Sequence, residues 1–371
     1  MNVMGLIFAN IYDSSLGELT NKRTMASLPY GGRYRQIDFT LSNMSNAGIR
    51  HIGIITKYNY QSLMNHIGSG EEWDLEIEEG GLEFLTPYAM SHSGSYRGKL
   101  DAIHSAETFL ELAEEEYVIM ADSGVLCAID LQKVLDEHIA SGKDITIVTK
   151  AGICNGKKQL DLALKLDENG EVTDMAVDYA ASAEYLASMG LFVIRREVLM
   201  KAAADCVARN LYRFERDFVL LAWQRGSLSV NVCQFQNTAL FNESTEEFFQ
   251  NNLALMDENI RNSLFREGLT IYTKVRDQVP SYYGADSQID NCIVADGCVL
   301  QGKAEHSVLF RGVRLGKGAS VKDCVVMANT VIGDGAELAY CILDKDVVIG
   351  PGVHLSGTPE HPMILKRGET A

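Results

Sequence analysis

Between Val3 and about Phe235 the chain alternates short apolar runs with longer stretches whose apolar residues return every three or four positions. The runs Val3–Ala9, His51–Thr56, Tyr117–Ala121, Ile145–Lys150, Leu191–Ile194 and Val230–Phe235 read as short buried strands. The stretches Ala102–Ala113, Leu131–Ala140, Val198–Val207 and Arg216–Gln224 carry the helical period. Strand–helix alternation of this kind predicts an α/β domain with a mostly parallel, Rossmann-like sheet covered on both faces. Ligands in such sheets bind beyond the carboxyl ends of the strands, which directs attention to Ala9 onward, Thr56 onward and Asp122.

After about Tyr283 the pattern changes. Val313, Ala319, Val325 and Val331 recur every six residues, as do Leu315, Val321 and Met327, and the period returns at Val347 and Val353 and at Ile349 and Leu355. Gly312, Gly316, Gly318, Gly333, Gly335, Gly350 and Gly352 punctuate it. A six-residue period predicts three short parallel strands per coil, each pointing an aliphatic side chain inward, which is a parallel β-helix. Between the two regions, Glu243 to Gly268 reads as helix, with Phe248, Phe249, Leu253 and Leu255 as its apolar residues. The predicted organisation is an α/β domain over 1–242, a linking helical region over 243–280 and a β-helix over 281–371.

The turn after the first strand, Ala9 to Leu16, has the sequence A-N-I-Y-D-S-S-L. A nucleotide-handling α/β domain uses glycine here, because glycine lets backbone N–H groups close on phosphate. This turn has none, and it offers Ile11, Tyr12 and Asp13 instead.

Charge and composition narrow the function classes. A formal net charge of -17 over 371 residues argues against nucleic acid or an anionic membrane surface as partner. It leaves room for a small anion, which feels the local field. Lys22, Arg23, Arg33 and Arg35 form the densest basic cluster, and this is the candidate site for an anion or effector. No apolar segment approaches the roughly 20 residues of a membrane span, and the start of the chain enters the first strand without a charged leader, so a cytoplasmic protein is expected. Eight cysteines stand singly with no C-x-x-C pair, which argues for free thiols in a reducing compartment and against a zinc site. Cys292, Cys298, Cys324 and Cys341 read as small fillers of the coils. Apart from Glu305, which adjoins His306, neither His306 nor His354 has an acidic partner nearby in sequence, and both read as structural.

The segment L-T-N-K-R-T-M-A-S-L-P-Y-G-G-R-Y-R-Q-I-D-F-T-L-S-N, Leu19 to Asn43, with N-A-G-I at Asn46 to Ile49, closely resembles the bacterial ADP-glucose pyrophosphorylases, the glucose-1-phosphate adenylyltransferases. Ser62-Leu63, His66-Ile67, A-S-M-G at Ala187 to Gly190 and D-K-D-V-V-I at Asp344 to Ile349 extend the resemblance over essentially the whole chain. It implies a sugar-nucleotidyltransferase domain followed by a left-handed β-helix. Active members join ATP and glucose 1-phosphate into ADP-glucose with release of pyrophosphate, with Mg²⁺ held by carboxylates and a basic, glycine-rich turn.

Carried over residue by residue, the resemblance implies a degenerate site. The family's glycine pair becomes Asn10 and Ile11, its third glycine Asp13 and its loop arginine Ser15; a lysine a few residues on falls at Met25. Asp122, closing V-I-M-A-D, matches a magnesium-holding aspartate, although an aspartate at a strand end is also a common turn former. Its partner aspartate corresponds to Asn242, a much poorer magnesium ligand, so productive metal binding is not expected. The lysine that grips glucose 1-phosphate is replaced by Asp178. Tyr96, Gly98 and Ser188 match, but Lys99 and Leu100 follow the glycine where the family has threonine and alanine. This pattern is similar to the GlgD-type subunits of the family. The implied function is a modulatory, non-catalytic subunit that assembles with a catalytic, GlgC-type glucose-1-phosphate adenylyltransferase subunit in glycogen synthesis, with a sugar phosphate as candidate effector. The alternatives are an active transferase relying on Asp122, Lys99 and the basic cluster, and a sensor of sugar phosphate or nucleotide using Tyr96, Ser188 and the Lys22–Arg35 cluster. Homo- or hetero-oligomerisation is expected.

Overall fold

All six positions of the strand Val3–Phe8 are buried, as its unbroken apolar sequence requires of a strand covered on both faces. The structure, a computed structural model, describes residues 2–77, 80–87 and 96–371. The chain divides into two compact units, each discontinuous in sequence. The first comprises Met1–Ile11, Thr40–Tyr58 and Gly68–Ala239; the second comprises Tyr12–Phe39, Asn59–Ile67 and Leu240–Ala371.

In the first unit, nine strands among the described residues form one mixed sheet. Val3–Phe8 lies between His51–Ile55 and Tyr117–Asp122 and is parallel to both, with Phe8 opposite Asp122. Gly81–Leu85 continues the parallel half. Leu186–Arg195 runs antiparallel to both Tyr117–Asp122 and Ile145–Lys150, and its register slips between Ser188 and Leu191. Met4, Leu6 and Phe8, alternate residues of one strand face, share a buried cluster with Leu100, Ile103, Phe192 and Phe214. Leu131–Ser141 shows why the helices start and stop where they do. The Asp130 side chain accepts from the Lys133 N–H, and Gly142 ends the helix in the left-handed conformation.

In the second unit, three five-stranded parallel sheets build the left-handed β-helix. Ala304, Val321, Leu338 and Leu355 stack in register, so these coils repeat every 17 residues, one short of three hexads. That missing residue is why the six-residue period slips once per coil. At one corner Asn291, His306, Asp323 and Tyr340 take the left-handed conformation in turn. The region Glu243–Gly268 is not one continuous helix. It contains Thr245–Leu253, capped by Ser244, a short 3₁₀ turn, and then Glu258–Leu264, whose start is set by the Asp257 carboxylate accepting from Asn259 and Ile260 N–H. His306 and His354 do have acidic partners, one coil away: Nδ1 of His306 meets Asp323 Oδ1 at 2.6 Å, and His354 meets Glu337 at 3.2 Å. All eight cysteines are free. No helix of the described residues is long and apolar enough to cross a membrane.

Candidate functional site

At the carboxyl ends of the parallel strands, where a ligand is expected, the turn after Phe8 is tied down by hydrogen bonds within it and to neighbouring segments. The Ala9 N–H donates to Ile55 O at 3.0 Å, and the Ser15 and Leu16 N–H groups both return to Tyr12 O. Asn10 ties the loop to its neighbour, accepting from Lys57 N–H at 2.9 Å, while Ile11 packs against the core. Asp13 is buried, and its Oδ1 accepts the Met25 N–H at 2.7 Å. Met25 in turn places its sulfur 3.2 Å from the Tyr12 N–H, and the single Ser15 hydroxyl proton lies in reach of both the Tyr12 and the Glu243 carbonyl. Of the backbone N–H groups that a glycine turn would offer to phosphate, those of Ala9, Tyr12, Ser15 and Leu16 are here engaged by protein atoms.

Asp122 ends its strand 5% exposed, and Gly190 packs so close that a Cβ there would lie 2.4 Å from Asp122 Oδ2. Gly98 starts the helix Lys99–Ser105 against the Tyr212 carbonyl, leaving no room for a side chain. The next residue, Lys99, projects its ammonium between two buried carboxylates, 2.8 Å from Asp122 Oδ2 and in short contact with Glu215. Burial opposes charge on Lys99, but Asp122, Glu215 and Asp161 outweigh it and raise its pKa. Burial and the neighbouring Glu215 push Asp122 up to about 7 against the pull of Lys99. Two carboxylates around one ammonium carry an excess negative charge, and a proton on Asp122 near neutrality relieves it. Tyr96 is buried, with its phenol pushed up to about 12. Ser188 Oγ accepts from the Gly190 N–H at 3.2 Å. Asp178, left-handed at φ 53°, grips the Arg213 guanidinium with both oxygens, and that contact holds its carboxyl below the usual range. A cation thus returns to the position of the reversed charge, but already paired.

These residues fit a divalent cation poorly. Mg²⁺ asks for carboxylate and water oxygens at about 2.0–2.1 Å around the ion, whereas Asp122 Oδ2 is occupied by an ammonium. Asn242, in the second unit, accepts from Asn251 Nδ2 at 2.7 Å. Among the described residues no group of three or more His, Cys, Asp and Glu side chains is placed to hold a metal.

The four clustered cations meet different fates. Lys22 is exposed, and Arg23 is buried against Asp344, a residue 321 positions away. Arg33 and Arg35 come from the hairpin Pro29–Tyr30/Tyr34–Arg35, whose reversal uses Gly31 and Gly32 at φ 57° and 83°. Both line a cavity within the second unit, together with His66, Arg276, Gln278, Arg311 and Lys345. No carboxylate among the described residues lines it. Burial lowers Arg35 to about 10, and Arg23 and Arg276 push the same way against Asp38. Burial, Arg35 and Arg23 bring Lys345 down to about 7. The Arg311 Nε is buried with no hydrogen-bond partner among the described residues. Sequence reasoning missed Arg276, Arg311 and Lys345. Lys345 lay within the D-K-D-V-V-I segment, but nothing local marked it as part of a cavity.

Known proteins agree with both halves of this description. A nucleotidyl transferase family matches residues 6–237, and a GlmU-like C-terminal hexapeptide family matches residues 278–362. The glycogen biosynthesis protein GlgD of Geobacillus stearothermophilus is 34% identical over 99% of this chain and 96% of its own. This chain belongs to the GlgD and glucose-1-phosphate adenylyltransferase family. GlgD of Bacillus subtilis (strain 168) is 31% identical with the same coverage of both chains. The glucose-1-phosphate adenylyltransferase of Geobacillus stearothermophilus is 30% identical over 86% of this chain and 83% of its own. Within this family, the present chain keeps the fold of both domains while its phosphate turn is closed on itself.

Proposed function

We propose that this chain is a modulatory, non-catalytic subunit of a glucose-1-phosphate adenylyltransferase in glycogen synthesis, and that it binds an anionic effector of the sugar-phosphate class. The observation that carries the reading is the cavity around Arg35. Arg33, Arg35, Arg276, Arg311 and Lys345 face it without a lining carboxylate, in a chain of net charge -17. Like charges held together while partly dehydrated are unfavourable until an anion joins them, and that unfavourable energy becomes binding energy for a phosphate. The closed Ala9–Leu16 turn and the paired states of Asp122 and Asp178 support the absence of turnover. The partner is a catalytic, GlgC-type subunit, and eight free cysteines suit a reducing cytoplasm.

The test mixes the purified chain with a catalytic glucose-1-phosphate adenylyltransferase subunit and follows ADP-glucose formation and complex size. The chain alone is expected to be silent, and the mixture to differ from the catalytic subunit in rate or in its response to sugar phosphates and inorganic phosphate. Turnover by the chain alone that disappears in Asp122→Ala would overturn the reading. So would a mixture indistinguishable from the catalytic subunit by itself.

A further inference from the structure

Lys99 is the first residue of its helix, and its side chain is 7% exposed. Its ammonium reaches Asp122 at the end of one strand and Glu215 from a separate helical segment, Phe214–Leu220. It also lies 5.6 Å from the ring centre of Phe8 and 5.7 Å from that of Phe192. Phe8 and Asp122 are opposite one another in the sheet, and Phe192 belongs to the next strand, paired with Met120. The charge is therefore enclosed by two carboxylates and two aromatic faces, at the strand ends where this class of sheet places its ligands.

We propose that the Lys99 ammonium is a tethered replacement for a divalent cation, so that this site is neutralised from within and is indifferent to metal. The inference rests on the reading that the first unit no longer performs metal-assisted chemistry, and it names what fills the place instead. Three observations support it. A lysine stem reaches this position only because Gly98 lets the helix begin hard against the Tyr212 carbonyl, where a Cβ would come within 2.3 Å. The ammonium contacts an oxygen of Asp122 that a metal would need, at 2.8 Å, and turns to a second carboxylate as an ion between two ligands does. The other oxygen, Asp122 Oδ1, is buried with no hydrogen-bond partner among the described residues. A divalent ion placed on Oδ1 would share one carboxylate with an ammonium and be repelled at close range. Take the ammonium away, and two buried carboxylates face an unneutralised space, which is the donor set a hard cation takes.

The experiment is a Mn²⁺ titration of the full chain, read by electron paramagnetic resonance of free Mn²⁺ and by thermal melting. The wild-type chain is expected to take up no Mn²⁺ at this site and to melt at the same temperature with or without it. Lys99→Ala is expected to bind one Mn²⁺ and to melt roughly 2–4 °C higher at a concentration tenfold above its Kd. Lys99→Ala combined with Asp122→Asn is expected to lose that gain, and Lys99→Arg to behave as wild type. One-to-one binding to the wild-type chain that Asp122→Asn abolishes would overturn the proposal, as would a folded Lys99→Ala that ignores Mn²⁺. Should Lys99→Ala not fold, the wild-type chain and Lys99→Arg decide: Mn²⁺ uptake by both refutes the proposal, and silence in both sustains it. None of these measurements uses the catalytic partner or an effector. Failure here leaves the modulatory role standing, and loss of that role leaves this result standing.

Discussion

At the strand ends of the first unit one ammonium is shared by two buried carboxylates, whereas in the second unit five cationic side chains line a cavity that no carboxylate of the described residues reaches. The first arrangement supplies its own counter-charge, one ammonium between two carboxylates, and a proton on Asp122 near neutrality relieves the negative charge left over. The second is incomplete, since burial and mutual repulsion drag Arg35 and Lys345 below their ordinary pKa values. The contrast separates a region whose cation has carboxylate partners from one whose cations face a cavity with no lining carboxylate among the described residues.

Breaking the matched region has the largest expected effect. Lys99→Met removes the one cation that Asp122 and Glu215 share, and leaving buried charge uncompensated in this way costs about 3–5 kcal/mol. The chain should unfold at distinctly lower denaturant, measured by urea titration of circular dichroism. An unchanged midpoint would mean that the triad is hydrated and not matched at all.

Next in size is the unmatched region. Arg35→Ala and Lys345→Ala should each weaken phosphate or sugar-phosphate binding by roughly 10–100-fold by calorimetry, the scale of one charge-assisted hydrogen bond. Folding should be retained. Equal affinity in both variants would remove the cavity from consideration as the anion site.

Smaller still is a pH effect whose sign follows from Lys345. Its pKa is brought down to about 7 by burial and by Arg35, Arg23 and Arg276, with Asp344 opposing. A depressed lysine gives the free protein more stability as pH rises from about 7 towards the unperturbed 10.5, and less as pH falls through 7. A bound anion restores the charge, so binding should take up a proton and affinity should fall as pH rises above 7. Lys345→Met should flatten that slope. A wild-type affinity constant across pH 7–9 would show that Lys345 stays charged without ligand.

The smallest expected effects come from groups that resemble the cavity only in sequence. Lys22→Ala should change phosphate affinity less than threefold, because the side chain is exposed and absent from the lining. His306→Ala, at a partly exposed pair with Asp323, should cost at most about 1 kcal/mol. A loss in Lys22→Ala equal to that in Arg35→Ala would erase the distinction between cluster and cavity.

The architecture was largely legible because buried strands leave continuous apolar runs. Val3–Phe8, His51–Ile55 and Ile145–Lys150 lie within a residue of their expected limits. The helix Gln36–Asn46 was not legible from periodicity, since Thr40, Ser42, Asn43 and Ser45 are buried beside its apolar residues and no polar face betrays the period. The strand Ala163–Leu166 and the edge strand beside it, Val172–Ala176, were missed for a related reason, being short and only partly buried. Chemistry was legible where it is local, as in the glycine-free turn. It was hidden where it depends on pairing across distance. Lys99 meets Glu215 116 residues away, Asp178 meets Arg213 35 residues away, and Arg276, Arg311 and Lys345 reach one cavity from separate stretches. A histidine that seemed to lack an acid finds one exactly a coil later, because the β-helix makes residues 17 apart into neighbours.

The buried Arg23–Asp344 pair also bears on how the protein is made. Arg23 is synthesised 321 residues before its partner, a lag of roughly 16–64 s at about 5–20 residues per second on the ribosome. Through that interval its guanidinium must stay in water or find a temporary host. The hairpin around Arg33 and Arg35, on the same stretch, waits with it for the late coils. The part of the cavity that is translated first is thus among the last to reach its final form.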